Sequence, residues 1–132
     1  PPFLLTATME AVLAQRLVRR ICPNCRETEM PSVETLAELE LTPEDCIGKN
    51  FYRGRGCPAC NNTGFKGRTG LFEYMPMNDE IRDLINSGSS TEQIRHSALR
   101  SGMRSLRQSG LDKVFSGVTT IEEAIRETVL DA

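Results

Sequence analysis

The sequence predicts a mixed α+β fold, mainly α, and three observations lead to this prediction. Two Cys-Pro-x-Cys pairs occur, Cys22–Cys25 and Cys57–Cys60. Aromatic-rich runs at 51–53 and 71–74 are typical of the short strands of a β-hairpin. From residue 78 onward, four short apolar patterns with helix caps predict a C-terminal bundle of short helices. We expect three regions: a strand end and a helix at 1–21, a tetracysteine knuckle lobe with an acidic helical insert at 22–75, and the helical bundle at 76–132.

The cysteine pairs indicate a structural zinc site made of Cys22, Cys25, Cys57 and Cys60. Two thiols separated by two residues can reach one ion, and four thiolates at about 2.3 Å satisfy tetrahedral zinc. The stretch 26–56 is longer than a zinc-ribbon spacing and should carry structure of its own. Disulfides, a redox Cys-x-x-Cys or buried cysteines are the alternatives. Cys46 has no partner at ligand spacing and is interpreted as a small buried residue rather than a fifth ligand or reactive thiol.

Composition points to a globular chain without generic affinity for nucleic acid. The 132 residues are 39% hydrophobic and 26% charged, with a formal net charge of −2. No run reaches the 18 or more apolar residues of a membrane span. Because the chain opens on Pro1-Pro2 without Met, we expect it to be a fragment of a longer protein. Basic residues lie near both Cys-Pro-x-Cys turns, which we call the knuckles. They can bind phosphate or balance the charge of a dianionic zinc centre, and both interpretations stay open.

The first elements are predicted from local patterns. Residues 3–5 are typical of the end of a buried strand. From Thr8 the apolar spacing predicts a helix that leads into Cys22, so that the first knuckle caps its C-terminal end. The acidic insert at 27–45 should hold a helix at 32–41, and Thr42-Pro43-Glu44-Asp45 carries a helix-start signal. This insert is interpreted as a solvated face, with a basic partner as the alternative.

The second knuckle lies in a glycine-rich stretch that does not form a phosphate loop. Glycine recurs at 54, 56, 64, 67 and 70, which suits a backbone that needs positive φ or close approach around an ion. The pattern G-x-x-x-x-G-K-[ST] is absent from the sequence.

The C-terminal helices are predicted at about 78–87, from Ser90 to before Gly102, from Met103 to before Gly117, and from Thr120 onward. Ser90 with Gln93, and Thr120 with Glu123, have capping-box spacing. Gly110 marks a kink or a tight helix contact. His96, the single histidine, lacks a nucleophile or orienting acid nearby in sequence. Glu122 and its neighbour Glu123 suit a helix start rather than a paired-carboxylate site.

Several motifs together resemble the C-terminal part of the assembly ATPases of type II secretion and type IV pili. They are Ala14-Gln-Arg-Leu-Val-Arg19 before the first pair, Gly64-Phe-Lys-Gly-Arg-Thr-Gly70 with Glu73 after the second, and Gly110-Leu-Asp-Lys-Val114, Gly117-Val-Thr-Thr120 and Glu123-Ala-Ile-Arg126 in the tail. The resemblance covers essentially the whole chain and keeps the motif order.

This resemblance implies a RecA-like homohexameric motor in the parent protein. The motor's ATP- and magnesium-binding motifs would lie upstream, so that the fragment alone should not hydrolyse ATP. The four cysteines would form a structural zinc element of a cytoplasmic protein held peripherally at the inner membrane. Its partners would be the inner-membrane platform protein and other subunits of the secretion or pilus machine, with no nucleic acid expected.

Two other functions remain open at this stage. A free-standing zinc-ribbon-like nucleic-acid-binding module would use basic residues such as Arg53, Arg55, Lys66 and Arg68, but the net acidity and the lack of tryptophan disfavour it. A chaperone-type zinc module is loosely indicated by Cys57-Pro-Ala-Cys60 followed by Gly64. Only one such repeat is visible, and Asn62 occupies the place of its first glycine.

Overall fold

A computed structural model describes the backbone of residues 11–128, with side chains from residue 14. The strand end predicted at 3–5, the start of the helix predicted from Thr8 and any part beyond residue 128 of the helix predicted from Thr120 lie outside these residues. Within the described part the predicted class is confirmed. The fold is mixed α+β with two small antiparallel sheets, a cluster of four cysteines and short C-terminal helices.

Two antiparallel ribbons form the β part. Strand β1 (Ala11–Ile21) pairs with β4 (Phe65–Met75), and β2 (Arg26–Glu29) pairs with β3 (Phe51–Gly54). In the first ribbon Leu17 lies opposite Gly70, and in the second Thr28 lies opposite Tyr52. The pairing of β1 with β4 thus joins the first predicted region to the second by backbone hydrogen bonds. The division of the chain into regions that end at residues 21 and 75 stays a prediction.

The prediction of a helix that leads into Cys22 is wrong over the described residues, because residues 11–21 form strand β1. The apolar positions fit a helical period, but pairing with β4 decides the conformation. An eleven-residue strand such as β4 leaves many backbone groups unpaired unless a strand of similar length lies beside it. Tertiary pairing therefore overrides the local helical pattern. The first knuckle follows the end of a strand.

The predicted hairpin between 51–53 and 71–74 is corrected in the same way. Both segments are strands, but β3 pairs with β2 and β4 pairs with β1, so they are not paired with each other. Strand β4 also begins earlier than predicted, at Phe65. The hairpin prediction failed because the sequence marks strand-forming segments but does not identify their partners.

The segment between β2 and β3 carries the predicted acidic helix. Helix α1 (Val33–Glu38) begins at Ser32, whose side chain accepts a hydrogen bond from the backbone N–H of Thr35. A 3₁₀ turn (Pro43–Cys46) follows, and the Thr42–Asp45 pair forms the predicted capping box. Both starts are confirmed because capping depends only on residues close in sequence.

Four helices follow within the described residues: α2 (Asp79–Asn86), α3 (Thr91–Arg100), α4 (Leu106–Phe115) and α5 (Ile121–Thr128). The Ser90–Gln93 capping box is confirmed. A core of Leu36, Leu39, Phe51, Val114, Ile121 and Ala124 joins the insert to α4 and α5. Within residues 11–128 no helix combines the length and the apolar content that a bilayer crossing requires.

Gly110 marks a tight helix contact rather than a kink. Helix α4 runs unbroken through it, and the residue is buried. A Cβ at this position would lie 3.3 Å from the Cβ of Ala124 and 3.4 Å from Cδ1 of Leu71. Glycine therefore allows α4 to pack closely against both α5 and strand β4.

Candidate metal centre

The four cysteines lie where the two ribbons meet. The turn Cys22–Cys25 connects β1 to β2, and the stretch that contains Cys57–Cys60 connects β3 to β4. Each knuckle therefore joins one strand of the first ribbon to one strand of the second. The chain between the knuckles leaves along β2, forms the acidic insert and returns along β3. This topology brings together two cysteine pairs that are far apart in sequence.

The four sulfur atoms form a compact cluster. The Sγ atoms of Cys22 and Cys57 are 3.8 Å apart, those of Cys25 and Cys60 are 3.9 Å apart, and those of Cys57 and Cys60 are 3.8 Å apart. All four lie within 4.8 Å of one another, and all four residues are buried. The four cysteines together can hold a metal ion.

The spacing of the sulfurs fits zinc and does not fit a disulfide. A tetrahedron with zinc–sulfur bonds of about 2.3 Å has sulfur–sulfur edges of about 3.8 Å. A disulfide requires about 2.05 Å between the two sulfurs. All five cysteines of the described chain are free. Four thiolates are a donor set that closed structural zinc sites use.

Polar groups surround the sulfurs in a way that suits thiolates. The side-chain Nδ2 of Asn24 donates to Sγ of Cys57 at 3.2 Å. The backbone N–H of Gly56 donates to Sγ of Cys25 at 3.3 Å, and that of Gly64 donates to Sγ of Cys60 at 3.2 Å. Hydrogen bonds of this kind orient metal ligands and stabilise their negative charge.

Burial and these hydrogen bonds shift the pKa values of Cys25, Cys57 and Cys60 in different directions. The hydrogen bond from Asn24 is the main influence that lowers the pKa of Cys57. Burial opposes ionisation of Cys60, but the N–H groups of Cys57 and Gly64 outweigh it and lower its pKa to about 6. Burial raises the pKa of Cys25 to about 11. A bound divalent cation deprotonates coordinating thiols and would remove this difference.

Two glycines allow the backbone to close around the cluster. A Cβ on Gly54 would lie 2.0 Å from the carbonyl oxygen of Gly64, and a Cβ on Gly64 would lie 2.4 Å from that of Gly54. Gly64 has a φ of +83°. Its carbonyl oxygen accepts from the N–H of Cys22 at 2.9 Å. These glycines bring the end of β3, the start of β4 and the first knuckle into contact.

The remaining candidate residues lie apart from the cluster. Cys46 is partly buried against the core of the insert, and burial raises the pKa of its thiol, which fits a packing role. His96 is exposed on α3. Glu122 is exposed in the first turn of α5.

Two buried carboxylates were not recognised as structural residues from the sequence. Glu73 on β4 accepts from Nη2 of Arg95 at 2.8 Å and from the N–H of Leu106 at 2.7 Å. Glu123 on α5 binds Arg19 on β1. For Glu73 the available signal is an acid on the inward face of a strand, between the apolar positions Leu71 and Met75. Glu123 gives no such signal, because its capping-box position already explained it.

The fold and the cluster define an α+β region organised around a four-cysteine knuckle site. The family model described as type II/IV secretion system protein matches residues 1–126. The chain belongs to this family. The resemblance stated from the sequence motifs is thereby confirmed.

Individual relatives carry both secretion and pilus names. The chain is 42% identical over 128 residues to the type IV pilus assembly ATPase PilB of Thermus thermophilus, covering 97% of this chain and 14% of the relative. It is 42% identical over 127 residues to the type II secretion system protein HxcR of Pseudomonas aeruginosa, covering 96% and 23%. It is 39% identical over 127 residues to the type II secretion system ATPase E of Vibrio cholerae, covering 96% and 25%. The chain spans a quarter or less of the length of these relatives.

Proposed function

We propose that this chain is the zinc-binding region of a hexameric ATPase that assembles a type II secretion system or a type IV pilus. The observation that carries the proposal is the convergence of four buried sulfurs at the junction of two ribbons. Membership of the secretion family and the ATPase names of several relatives support the parent activity. The ATP- and magnesium-binding residues are proposed to lie in the rest of the parent protein.

In this proposal Cys22, Cys25, Cys57 and Cys60 hold zinc as a structural cross-link. Bound zinc would add metal–sulfur bonds between the two knuckles to the hydrogen bond from Asn24 to Cys57 that already joins them. Structural zinc contributes on the order of 10 kcal/mol to the folding of small metal-dependent units. The ends of β1 and β3 and the starts of β2 and β4 would then move as one rigid unit. A rigid unit can transmit motion from the motor to another protein without deforming.

The proposed site of action is the cytoplasmic face of the inner membrane. We infer that the region is held there through a platform protein of the secretion or pilus machine, and not through contact of this chain with lipid. The proposal includes the division into a motor end at 1–21, a knuckle lobe at 22–75 and a helical bundle at 76–132.

The test replaces one ligand in the full-length protein. Cys57→Ser should lower the zinc content, reduce the rigidity of the lobe and cripple secretion or pilus assembly in cells. Cys46→Ser is the matched control, because its thiol lies outside the cluster and should leave zinc content and assembly unchanged. Wild-type assembly by a Cys57→Ser protein that has lost its zinc would overturn the structural role. Retention of zinc at the wild-type level would overturn the assignment of the ligands.

A further inference from the structure

The acidic insert and the adjoining start of β3 line a groove that none of the four clustered cysteines lines. It has a volume of about 400 Å³ and lies between the end of β2, α1, the 3₁₀ turn and the start of β3. Its apolar lining comes from Met30, Leu36, Pro43, Cys46 and Phe51. We call this cavity the insert groove. Its volume falls in the range of sites that accept side chains or small ligands.

Large apolar side chains of the same segment are left in solvent. Met30, which lines the groove, is 89% exposed, and Val33 and Ile47 are 64% and 79% exposed. Scattered exposed apolar residues are ordinary on a protein surface. Three within one short segment that also carries an apolar groove indicate a surface that another molecule covers.

The charge of the segment restricts the chemistry of that molecule. Residues 27–45 contain seven acidic side chains and no lysine or arginine. Glu34, Glu38, Glu40 and Glu44 are exposed. Lys49 also lines the groove, but its ammonium lies over the ring of Phe115 at 4.6 Å. An acidic surface repels phosphate and anionic lipid and attracts a basic polypeptide.

We propose that the insert groove binds a basic amphipathic segment of a partner protein. The apolar face of the segment would fill the groove beside Met30 and cover Ile47, as amphipathic helices do in hydrophobic grooves. Its lysines and arginines would face the glutamates of α1 and of the 3₁₀ turn. This inference does not depend on zinc or on the proposed ATPase activity, because it rests on the groove and the exposed side chains of residues 27–51.

The test measures binding of a synthetic lysine–leucine amphipathic peptide, labelled with a fluorophore, to the full-length protein. Two control peptides accompany it: one with the same composition scrambled so that no apolar face forms, and one with glutamate in place of lysine. The amphipathic basic peptide should bind, and raising sodium chloride from about 50 to about 300 mM should weaken its affinity severalfold. Equal binding of either control peptide would overturn the proposal, as would no binding of the basic peptide.

Variants locate the binding surface. Met30→Asp and Ile47→Asp change exposed side chains, so that the fold should survive, and each should weaken peptide affinity by about tenfold. Glu34→Gln with Glu44→Gln should reduce the salt dependence of binding. Leu99→Asp, at an exposed apolar residue on α3, is the control for the two apolar substitutions. Glu92→Gln combined with Asp83→Asn is the control for the loss of charge. Neither control should change the affinity.

Three outcomes would contradict the assignment. Unchanged affinity in Met30→Asp and Ile47→Asp would exclude the groove. A similar loss in Leu99→Asp would show that the effect is not specific to this surface. Self-association in sedimentation that Met30→Asp abolishes would show that a second copy of the chain covers the groove instead of a basic partner.

Discussion

Arg19 holds Glu123 across a sequence separation of 104 residues. The backbone N–H of Arg19 donates to Oε2 of Glu123 at 2.9 Å, and its guanidinium donates to Oε1 from Nε at 3.1 Å and from Nη2 at 2.8 Å. The carbonyl of Arg19 accepts from the hydroxyl of Thr119 at 2.7 Å. Side chains from α5 and from the residues before it thus form hydrogen bonds with the backbone N–H and carbonyl of Arg19, at the edge of β1 beside the first knuckle. A sheet edge covered in this way is closed to further pairing at that residue.

We expect Glu123→Gln to destabilise the protein by about 2 kcal/mol. The substitution removes the negative charge from a buried side chain that accepts hydrogen bonds from two guanidinium groups. The carboxylate of Glu123 is 2% exposed and also contacts the guanidinium of Arg126. Urea unfolding provides the measurement. Glu122→Gln, at the neighbouring exposed position, should change the free energy of unfolding by less than about 0.5 kcal/mol. Equal effects of the two substitutions would contradict this role of the ion pair.

The same carboxylate predicts a dependence of stability on pH. Burial opposes ionisation of Glu123, but the hydrogen bonds and charge of Arg19 outweigh it and hold its pKa below the usual 4.5. Its stabilising contribution is therefore fully present above about pH 4.5 and is lost as pH falls through the lower folded pKa.

The measurement compares wild type with Glu123→Gln as the pH is lowered. The difference in unfolding free energy should shrink between about pH 5 and about pH 3. Glu29 acts in the opposite direction, because burial and the charge of Glu122 raise its pKa. Comparing the two proteins cancels that contribution. A difference that stays constant over this range would show that Glu123 does not titrate as an ion-paired group.

The close backbone contact between Gly54 and Gly64 predicts that adding one methyl group at Gly54 severely destabilises the site. In Gly54→Ala the new Cβ would overlap backbone atoms, which cannot move aside as a flexible side chain can. We expect loss of zinc and a fall of several kcal/mol in stability, as overpacking against fixed backbone produces. Zinc content and the thermal midpoint are the readouts.

Gly48→Ala is the control for this substitution. Gly48 has a φ of +77° and nothing within 4 Å of an added Cβ. Its replacement should cost only about 1 kcal/mol of backbone strain and leave the zinc content intact. If Gly54→Ala retained zinc and stability at the level of Gly48→Ala, the close approach of the two glycines would not matter to the site.

Local chemistry made part of this structure predictable from sequence. The caps at Ser90 and Thr42 depend on side chains three residues away, and the cysteine pairs depend on spacing within a turn. Only half of the predicted Thr120–Glu123 capping box forms. The N–H of Glu123 does donate to the hydroxyl of Thr120 at 3.2 Å, but its carboxylate turns to Arg19.

Non-local pairing explains what the sequence did not reveal. Strand β1 has a helical apolar pattern and is a strand only because β4 lies beside it. Glu73 is buried because Arg95 and the N–H of Leu106, from two later helices, both reach it. A single sequence does not state which distant segments will meet, so these contacts had no local signal strong enough to predict them.

The hydrogen bond from Asn24 to Cys57 predicts a measurable change in metal retention. Asn24 provides a side-chain donor to a cluster otherwise contacted by backbone N–H groups of Gly56, Cys57 and Gly64. Removing such a partner lowers metal affinity, by about tenfold at the low end of measured cases. We therefore expect Asn24→Ala to release zinc to a chromophoric chelator about tenfold faster than wild type. Asn86→Ala, at the end of α2, should release zinc at the wild-type rate. Equal rates for all three proteins would mean that the backbone donors alone hold the thiolates in place.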